Sequence, residues 1–286
     1  MKHVIVTAAD EAYAALLLDL LDSLRPHAGK LEFAIACLDL GLSPSTRSQV
    51  ADLADHVVDP QWPFRPHTQF DKDRRFLSRA ARPFLRDLVP GYSTYIWLDA
   101  DVWVQHALGL KWLLEAADGT DIAAAPTVHR CYAFKAQDVG WMRMRYRMAF
   151  GEPTANQLMQ NPYVNSGVMA IPGNSKFWPK VANRFQDALD RWEGTFLSDQ
   201  AIINGALLLD DLKFERLPAR VNWICHLSRP LWDPARKQLV EPAMPFDPIL
   251  ILHNTFNDKA LDHDIFAMDG RPRKTKLTYS AISSLS

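Results

Sequence analysis

The segment Ile96-Trp-Leu-Asp-Ala-Asp-Val102 ends an apolar run with two carboxylates, Asp99 and Asp101, separated by one residue. Side chains of an extended chain repeat every second residue, so the two are expected on the same side of a strand. An isolated pair of this kind usually caps a helix or a turn. Here it ends a strand apolar enough to be buried, where uncompensated charge is costly and a hard divalent cation compensates it. His253 follows the apolar run Ile249 to Leu252, with Lys259 six positions on. Taken alone, such a residue is a strand-end histidine more often than a ligand. Ser198-Asp-Gln200 opens an apolar helical stretch, where Ser and Asp are ordinary caps. Arg79 and Arg82 lie on a helical pattern, and arginines there are as commonly solvated as functional.

The elements that must position these groups alternate. His3 to Thr7 is short and β-branched, followed by Ala8, Ala9 and Asp10, which reads as a buried strand running into a loop. Glu11 to Leu24 repeats Leu and Ala at helical spacing up to Arg25-Pro26, and Leu31 to Leu38 is a second strand. Ser45 to Ala54 follows as a helix and Asp55 to Asp59 as a third strand. Strand, helix, strand, helix, strand builds a parallel sheet covered on both faces, and ligands bind at the carboxyl ends of such strands. Further on, the pattern predicts a helix over Asp73 to Leu88, a strand over Tyr92 to Leu98, a helix over Ala107 to Ala117 and an apolar strand over Ile122 to Ala125. The stretch His129 to Tyr163 is dense in Arg, Met and aromatics and reads as an insertion with one helix, near Trp141 to Phe150. A strand over Val164 to Ile171, helices over Phe177 to Arg191 and Asp199 to Leu209, and a strand over Ile249 to Leu252 complete a mixed sheet.

Trp97-Leu-Asp-Ala-Asp-Val102 resembles the D-x-D strand of glycosyltransferase family 8, whose members include the glycogenins and bacterial lipopolysaccharide galactosyltransferases. Four segments agree in order: Tyr163-Val-Asn-Ser-Gly-Val-Met169, Ser198-Asp-Gln-Ala-Ile-Ile-Asn204, Leu217-Pro218 through Asn222-Trp223, and His253 with Lys259. The resemblance implies a GT-A fold, a Rossmann-like mixed but mostly parallel sheet flanked by helices. It implies one domain over residues 1–260, a nucleotide-binding half to about 105 and an acceptor-side half from about 106, with a basic, mobile tail over 261–286. It further implies a retaining transferase that takes a hexose, glucose or galactose, from a UDP-sugar to a hydroxyl of a glycan or other acceptor. Asp99, Asp101 and His253 would hold the metal, Mn²⁺ first because of the imidazole and Mg²⁺ second. Thr7, Asp10 and Tyr13 would hold uracil and ribose, although Tyr13 is equally placed to be the first core residue of a helix. Arg82, Ala100 beside the D-x-D aspartates, Asn165, Ser166 and Lys259 would meet the donor sugar or its diphosphate. Asp199 would bind donor-sugar hydroxyls, and Gln200 would lie near the anomeric carbon. A neutral amide is a weak nucleophile, which favours front-face attack over a covalent glycosyl-enzyme. Trp141, Tyr146 and Tyr163 offer rings on which an acceptor sugar could stack, or simple packing. Two departures mark a divergent member: Phe256 stands where the family has Gly, and Ala201 where it has an acidic residue.

The rest of the composition narrows the classes. With 32 basic and 33 acidic residues there is no global field to hold nucleic acid, so phosphate recognition must be local. Cys37, Cys131 and Cys225 lack the paired spacings of a disulfide framework or a zinc knuckle, which points to a reducing cytoplasm. No run reaches membrane-spanning length. Arg271, Arg273, Lys274 and Lys276 supply roughly 1 kcal/mol each near anionic lipid, enough only for weak peripheral contact. No G-x-G-x-x-G follows the first strand and there is no P-loop. A nucleotidyltransferase would carry a Gly-rich basic loop where Thr7-Ala-Ala-Asp-Glu11 stands, and a metallophosphatase would need more than one histidine in a metal context. A nucleotide-sugar-binding protein without transferase activity is the third alternative, to which Phe256 and Ala201 lend support.

Overall fold

The computed structural model describes residues 2–66, 70, 72–191, 197–257 and 259–285. In chain order the first half comprises β1 (His3–Ala9), α1 (Ala14–Leu31), β2 (Phe33–Asp39), α2 (Pro44–Ala51), β3 (His56–Val58), α3 (Arg74–Ala80), α4 (Leu85–Leu88), β4 (Thr94–Leu98), β5 (Val102–Val104) and α5 (Ala107–Ala117). There follow β6 (Ile122–Pro126), α6 (Ala136–Phe150), α7 (Glu152–Leu158), β7 (Val164–Pro172), α8 (Phe177–Asp190), α9 (Asp199–Leu209), β8 (Phe214–Arg216) and β9 (Trp223–Ile224). The chain ends with β10 (Leu231–Asp233), β11 (Gln238–Val240), β12 (Ile251–His253), β13 (His263–Phe266), β14 (Pro272–Thr275) and α10 (Tyr279–Ser283).

The central sheet has the order β3-β2-β1-β4-β7-β6-β8. β1 runs parallel to β2 and β4, β2 to β3 and β6 to β8, while β7 is antiparallel to β4 and β6. All residues of β2 and β4 are buried, as strands covered on both faces require. Alternate residues feed two cores. Val4, Val6, Tyr95 and Trp97 pack with α3, α8 and α9, and Ile5, Ile96 and Leu98 pack with α1 and α5. The site residues sit where β1, β4 and β7 meet.

Several boundaries differ from the sequence expectation. α1 begins only after a 3-10 turn over Glu11–Tyr13 that Asp10 caps, and it runs through Pro26 to Leu31. The buried face of Leu17, Leu20, Leu21 and Leu24 outweighs the one hydrogen bond that Pro26 forfeits. The helix expected over 73–88 is broken by a 3-10 turn, Arg82–Phe84, that contains Pro83. The insertion holds two helices, because Gly151 adopts φ 81° between α6 and α7. The strand that carries His253 does not join the central sheet: β12 pairs antiparallel with β5 and parallel with β9 in a separate three-stranded sheet.

The segment expected to be a mobile tail is built into the fold. β13 and β14 form a hairpin, and Leu277 and Ile282 are buried in a third apolar cluster with Trp103 and Trp223. Trp103 Nε1 donates to the Leu277 carbonyl, and Asp19 of α1 accepts from the backbone of Tyr279 and Ser280 at the start of α10. Its aliphatic and aromatic residues, interleaved in sequence with charge, supply the adhesion. Among the described residues no helix is long and apolar enough to cross a membrane.

Candidate active site

β4 stops at Leu98, and Asp99-Ala100-Asp101 is a turn closed by a hydrogen bond from Val102 N to Asp99 O at 3.0 Å. The aspartates are therefore not neighbours on a straight strand, as the period-two expectation had them. They converge because β5 reverses and pairs with β12, setting His253 opposite Val102. Among the described residues, Asp99, Asp101 and His253 form the cluster of metal-ligating side chains, their ligand atoms all within 4.8 Å of one another. His253 Nε2 lies 3.2 Å from Asp101 Oδ1 and 3.9 Å from Asp99 Oδ2. Its Nδ1 is 2.9 Å from Asn222 Oδ1, an acceptor for the Nδ1 proton, so that Nε2 is the ring nitrogen turned to the carboxylates. Two carboxylates and such an imidazole suit a divalent cation.

Gly167 of β7 lies against this cluster. A Cβ there would come 2.3 Å from His253 Cε1 and 2.8 Å from Asp99 Oδ2. The absence of a side chain is what lets the imidazole approach the aspartates.

Arg82, buried at 5% exposure, is no solvated helix charge. The 3-10 turn directs it inward. Its NH2 donates to Asp99 Oδ1 at 2.6 Å and its NH1 to Asp199 Oδ2 at 2.7 Å and Ser166 Oγ at 2.5 Å, while the guanidinium lies 4.7 Å over the Trp97 ring. Arg82 thus joins the metal-type cluster to the start of α9, with its two terminal nitrogens committed to protein groups. Ser198 caps α9 by accepting from Ala201 N, so Asp199 is free of the capping role that its position suggests. Asp199 Oδ1 faces Arg79 Nε at 4.0 Å. Gln200 Oε1 accepts from Ser166 N at 3.3 Å. Asn165 Oδ1 accepts from Gly167 N at 2.9 Å and from Asn222 Nδ2 at 3.2 Å.

The electrostatics separate the two aspartates. Burial raises the Asp99 carboxyl above its ordinary value, Asp101 adds to the rise, and Arg82 and His253 oppose it. Burial also works to raise Asp101, but His253 and Lys259 together hold it below the ordinary value.

The other residues picked from sequence divide. Thr7 is fully buried at the end of β1 with no hydrogen-bond partner for its hydroxyl. Asp10 accepts from Tyr13 N and pairs with Arg75 Nε at 2.8 Å, beside a cleft lined by Glu11, Gly41, Lys72 and Arg74. Tyr13 is 41% exposed, which removes its alternative as a core residue. Ala100 is buried in the turn. Lys259 Nζ lies 3.3 Å from Asp101 Oδ2 and 6.0 Å from the centre of the Tyr13 ring. Beyond Asn165 and Gln200 a second cleft of about 670 Å³ opens between Trp141, His226 and Phe256. Trp141, 38% exposed, offers a face there, whereas Tyr146 at 1% belongs to the core and cannot stack on a ligand. Tyr163 is buried at the cleft's edge. Trp97 and Asn222 stand in the quoted motifs but received no role from the sequence. Only the fold shows Trp97 donating to Asp99 Oδ1 at 2.7 Å and Asn222 bridging Asn165 to His253.

A family model described as "Glycosyl transferase family 8" matches residues 4–244. The chain belongs to that family. No curated protein sequence matches it. Among solved structures, the galactosyltransferase LgtC in complex with donor and acceptor sugar analogues is 19% identical, covering 89% of this chain and 87% of that one, with a TM-score of 0.54. The glycosyltransferase GlyE of Streptococcus pneumoniae is 16% identical over 90% of this chain and 55% of that one, TM-score 0.52. Mouse xyloside xylosyltransferase 1 is 13% identical over 90% of this chain and 98% of that one, TM-score 0.50. At these identities the likeness is one of fold, the GT-A arrangement. The family-8 match stops before His253 and Lys259, so their place beside the D-x-D turn is a finding of the structure.

Proposed function

We propose that this family-8 glycosyltransferase moves a hexose, glucose or galactose, from its UDP derivative to a hydroxyl of a glycan with retention of anomeric configuration, using Mn²⁺ or, second, Mg²⁺ at Asp99, Asp101 and His253. The observation that carries the reading is the shared guanidinium: Arg82 holds a carboxylate of the metal-type cluster and the Asp199 carboxylate at once. When bound, the cation supplies Lewis-acid neutralisation of the diphosphate charge that grows as the leaving group departs.

Each residue then has a task. Asp10 and Tyr13 hold the nucleoside on the β1 side, above the fully buried Thr7, and Lys259 and the Ala100 turn lie toward the diphosphate. Asn165 and Ser166 line the donor sugar. Arg82 consumes one oxygen of Asp199 and leaves Oδ1 to accept hydrogen bonds from sugar hydroxyls. Gln200 presents a neutral carbonyl that stabilises oxocarbenium character without forming a bond. LgtC offers a parallel: one of its solved structures is an active-site variant in which a glutamine is replaced by glutamate. The acceptor enters from the cleft between Trp141 and His226, on the side from which the diphosphate leaves.

A thermal-shift panel of nucleotide sugars with and without Mn²⁺ tests the donor and the metal together, because a ligand stabilises only the state it binds. UDP-glucose or UDP-galactose with Mn²⁺ is expected to give the largest shift. A shift from another nucleotide sugar that ignores the metal would overturn the reading.

A further inference from the structure

Within the chain each of the two aspartates already has a cationic partner, Arg82 being shared with Asp199. Arg82 matches Asp99 at 2.6 Å, and Lys259 matches Asp101 at 3.3 Å. Lys259 does not arrive there loosely, since its Nζ also donates to the Phe256 carbonyl at 2.8 Å. Phe256 is itself clamped: its ring stacks on His263 of β13 with centroids 4.2 Å apart, and the Arg229 guanidinium lies 5.8 Å from it. The residue that departs from the family's glycine is therefore the one that fixes the lysine's anchoring carbonyl, and the C-terminal hairpin holds it in place.

Charge counting gives this arrangement a consequence. A divalent cation entering alone would stand beside Arg82 and Lys259, and a diphosphate entering alone would face Asp99 and Asp101. Together the two ligands cancel, provided the lysine leaves Asp101 for the phosphate oxygens. The Tyr13 ring, 6.0 Å from Nζ, marks the nucleoside side toward which it would turn.

We propose that Lys259 is a latch, resting on Asp101 to compete with the divalent cation and released by the diphosphate of the donor, so that metal and nucleotide bind cooperatively. The proposal rests on the assignment of Asp99, Asp101 and His253 as metal ligands. The cooperativity is a coupling free energy and must appear in both binding equilibria.

The test is Mn²⁺ binding to the full chain, followed by electron paramagnetic resonance with and without UDP, for the wild type, Lys259→Met and Lys259→Gln. Asp101→Asn serves to locate the bound ion. In the absence of UDP, both lysine variants are expected to bind Mn²⁺ at least about tenfold tighter than the wild type, since a cation is removed from the site. UDP is expected to tighten Mn²⁺ binding to the wild type by at least about tenfold more than it does for either variant. Equal Mn²⁺ affinity in the wild type and both variants would overturn the latch while leaving the metal site intact. Mn²⁺ binding that Asp101→Asn does not weaken would overturn the ligand assignment, and the latch with it.

Discussion

Replacing Gly167 by alanine drives a methyl group to 2.3 Å from His253 Cε1, 2.8 Å from Asp99 Oδ2 and 2.9 Å from Asn165 Oδ1. Carbon atoms rest at about 3.5 Å or more, so the imidazole must retreat by roughly 1.2 Å or the β7 backbone must yield. Overpacking of this kind costs about 1–3 kcal/mol, which in a chain of this size lowers Tm by about 2–12 °C. The larger effect falls on the metal. Ligand bonds are only about 2 Å long, and a ring displaced by half that length loses its place, so Mn²⁺ affinity should fall by about 10–100-fold. Gly205→Ala is the matched control, because its methyl would stand 2.3 Å from Phe150 Cζ, in the contact between α9 and α6. It should lower Tm comparably and leave Mn²⁺ affinity unchanged. Calorimetric Mn²⁺ titration beside thermal melts of both variants reads the difference. Gly167→Ala with wild-type Mn²⁺ affinity would refute the claim that this glycine exists to admit His253.

Asn222→Leu removes the acceptor of His253 Nδ1 and should weaken Mn²⁺ by about 10–100-fold in the same titration, with wild-type affinity refuting the bridging role. Asp199→Asn removes one carboxylate charge from Arg82, which Asp99 still neutralises, and should cost about 1–3 kcal/mol in urea denaturation, besides misorienting the donor. Gln200→Ala should lower turnover with little change in donor affinity, as expected of a group felt in the transition state, and an equal loss in both would refute that assignment. Asp121 is held below the ordinary carboxylate value: burial raises it, but the amides of Lys213 and Lys176 and the Ser175 hydroxyl more than offset that. Its stabilising contribution is complete above the unfolded value of 3.8 and is lost as pH falls through the lowered folded value, so Asp121→Asn should flatten the acid limb of a stability profile.

The parts of the site legible in sequence were those written in short local patterns. The D-x-D pair, the N-S-G strand and the S-D-Q helix start each announce themselves within a few residues. The long-range contacts did not. The turn that brings Asp101 under His253 depends on β5 leaving the central sheet to pair with β12, about 150 residues away, which no local periodicity records. Arg82 looked like one more helix charge because its inward direction comes from the break at Pro83. The insertion's second helix was hidden because a glycine inside a polar, Met-rich stretch reads as a loop, and the packed C-terminal segment because its charges are interleaved with Ile265, Leu277 and Ile282. Pro26 misled in the opposite direction, since tertiary packing carried α1 past it.

Time-resolved proton NMR of UDP-galactose and UDP-glucose turnover tests the central claim without knowledge of the acceptor, because slow donor hydrolysis reports the stereochemistry directly. The account predicts that the first hexose released is the α-anomer, and that its release requires Mn²⁺ and is lost in Asp101→Asn. Initial release of the β-anomer, or turnover that continues undiminished without a divalent cation, would contradict it.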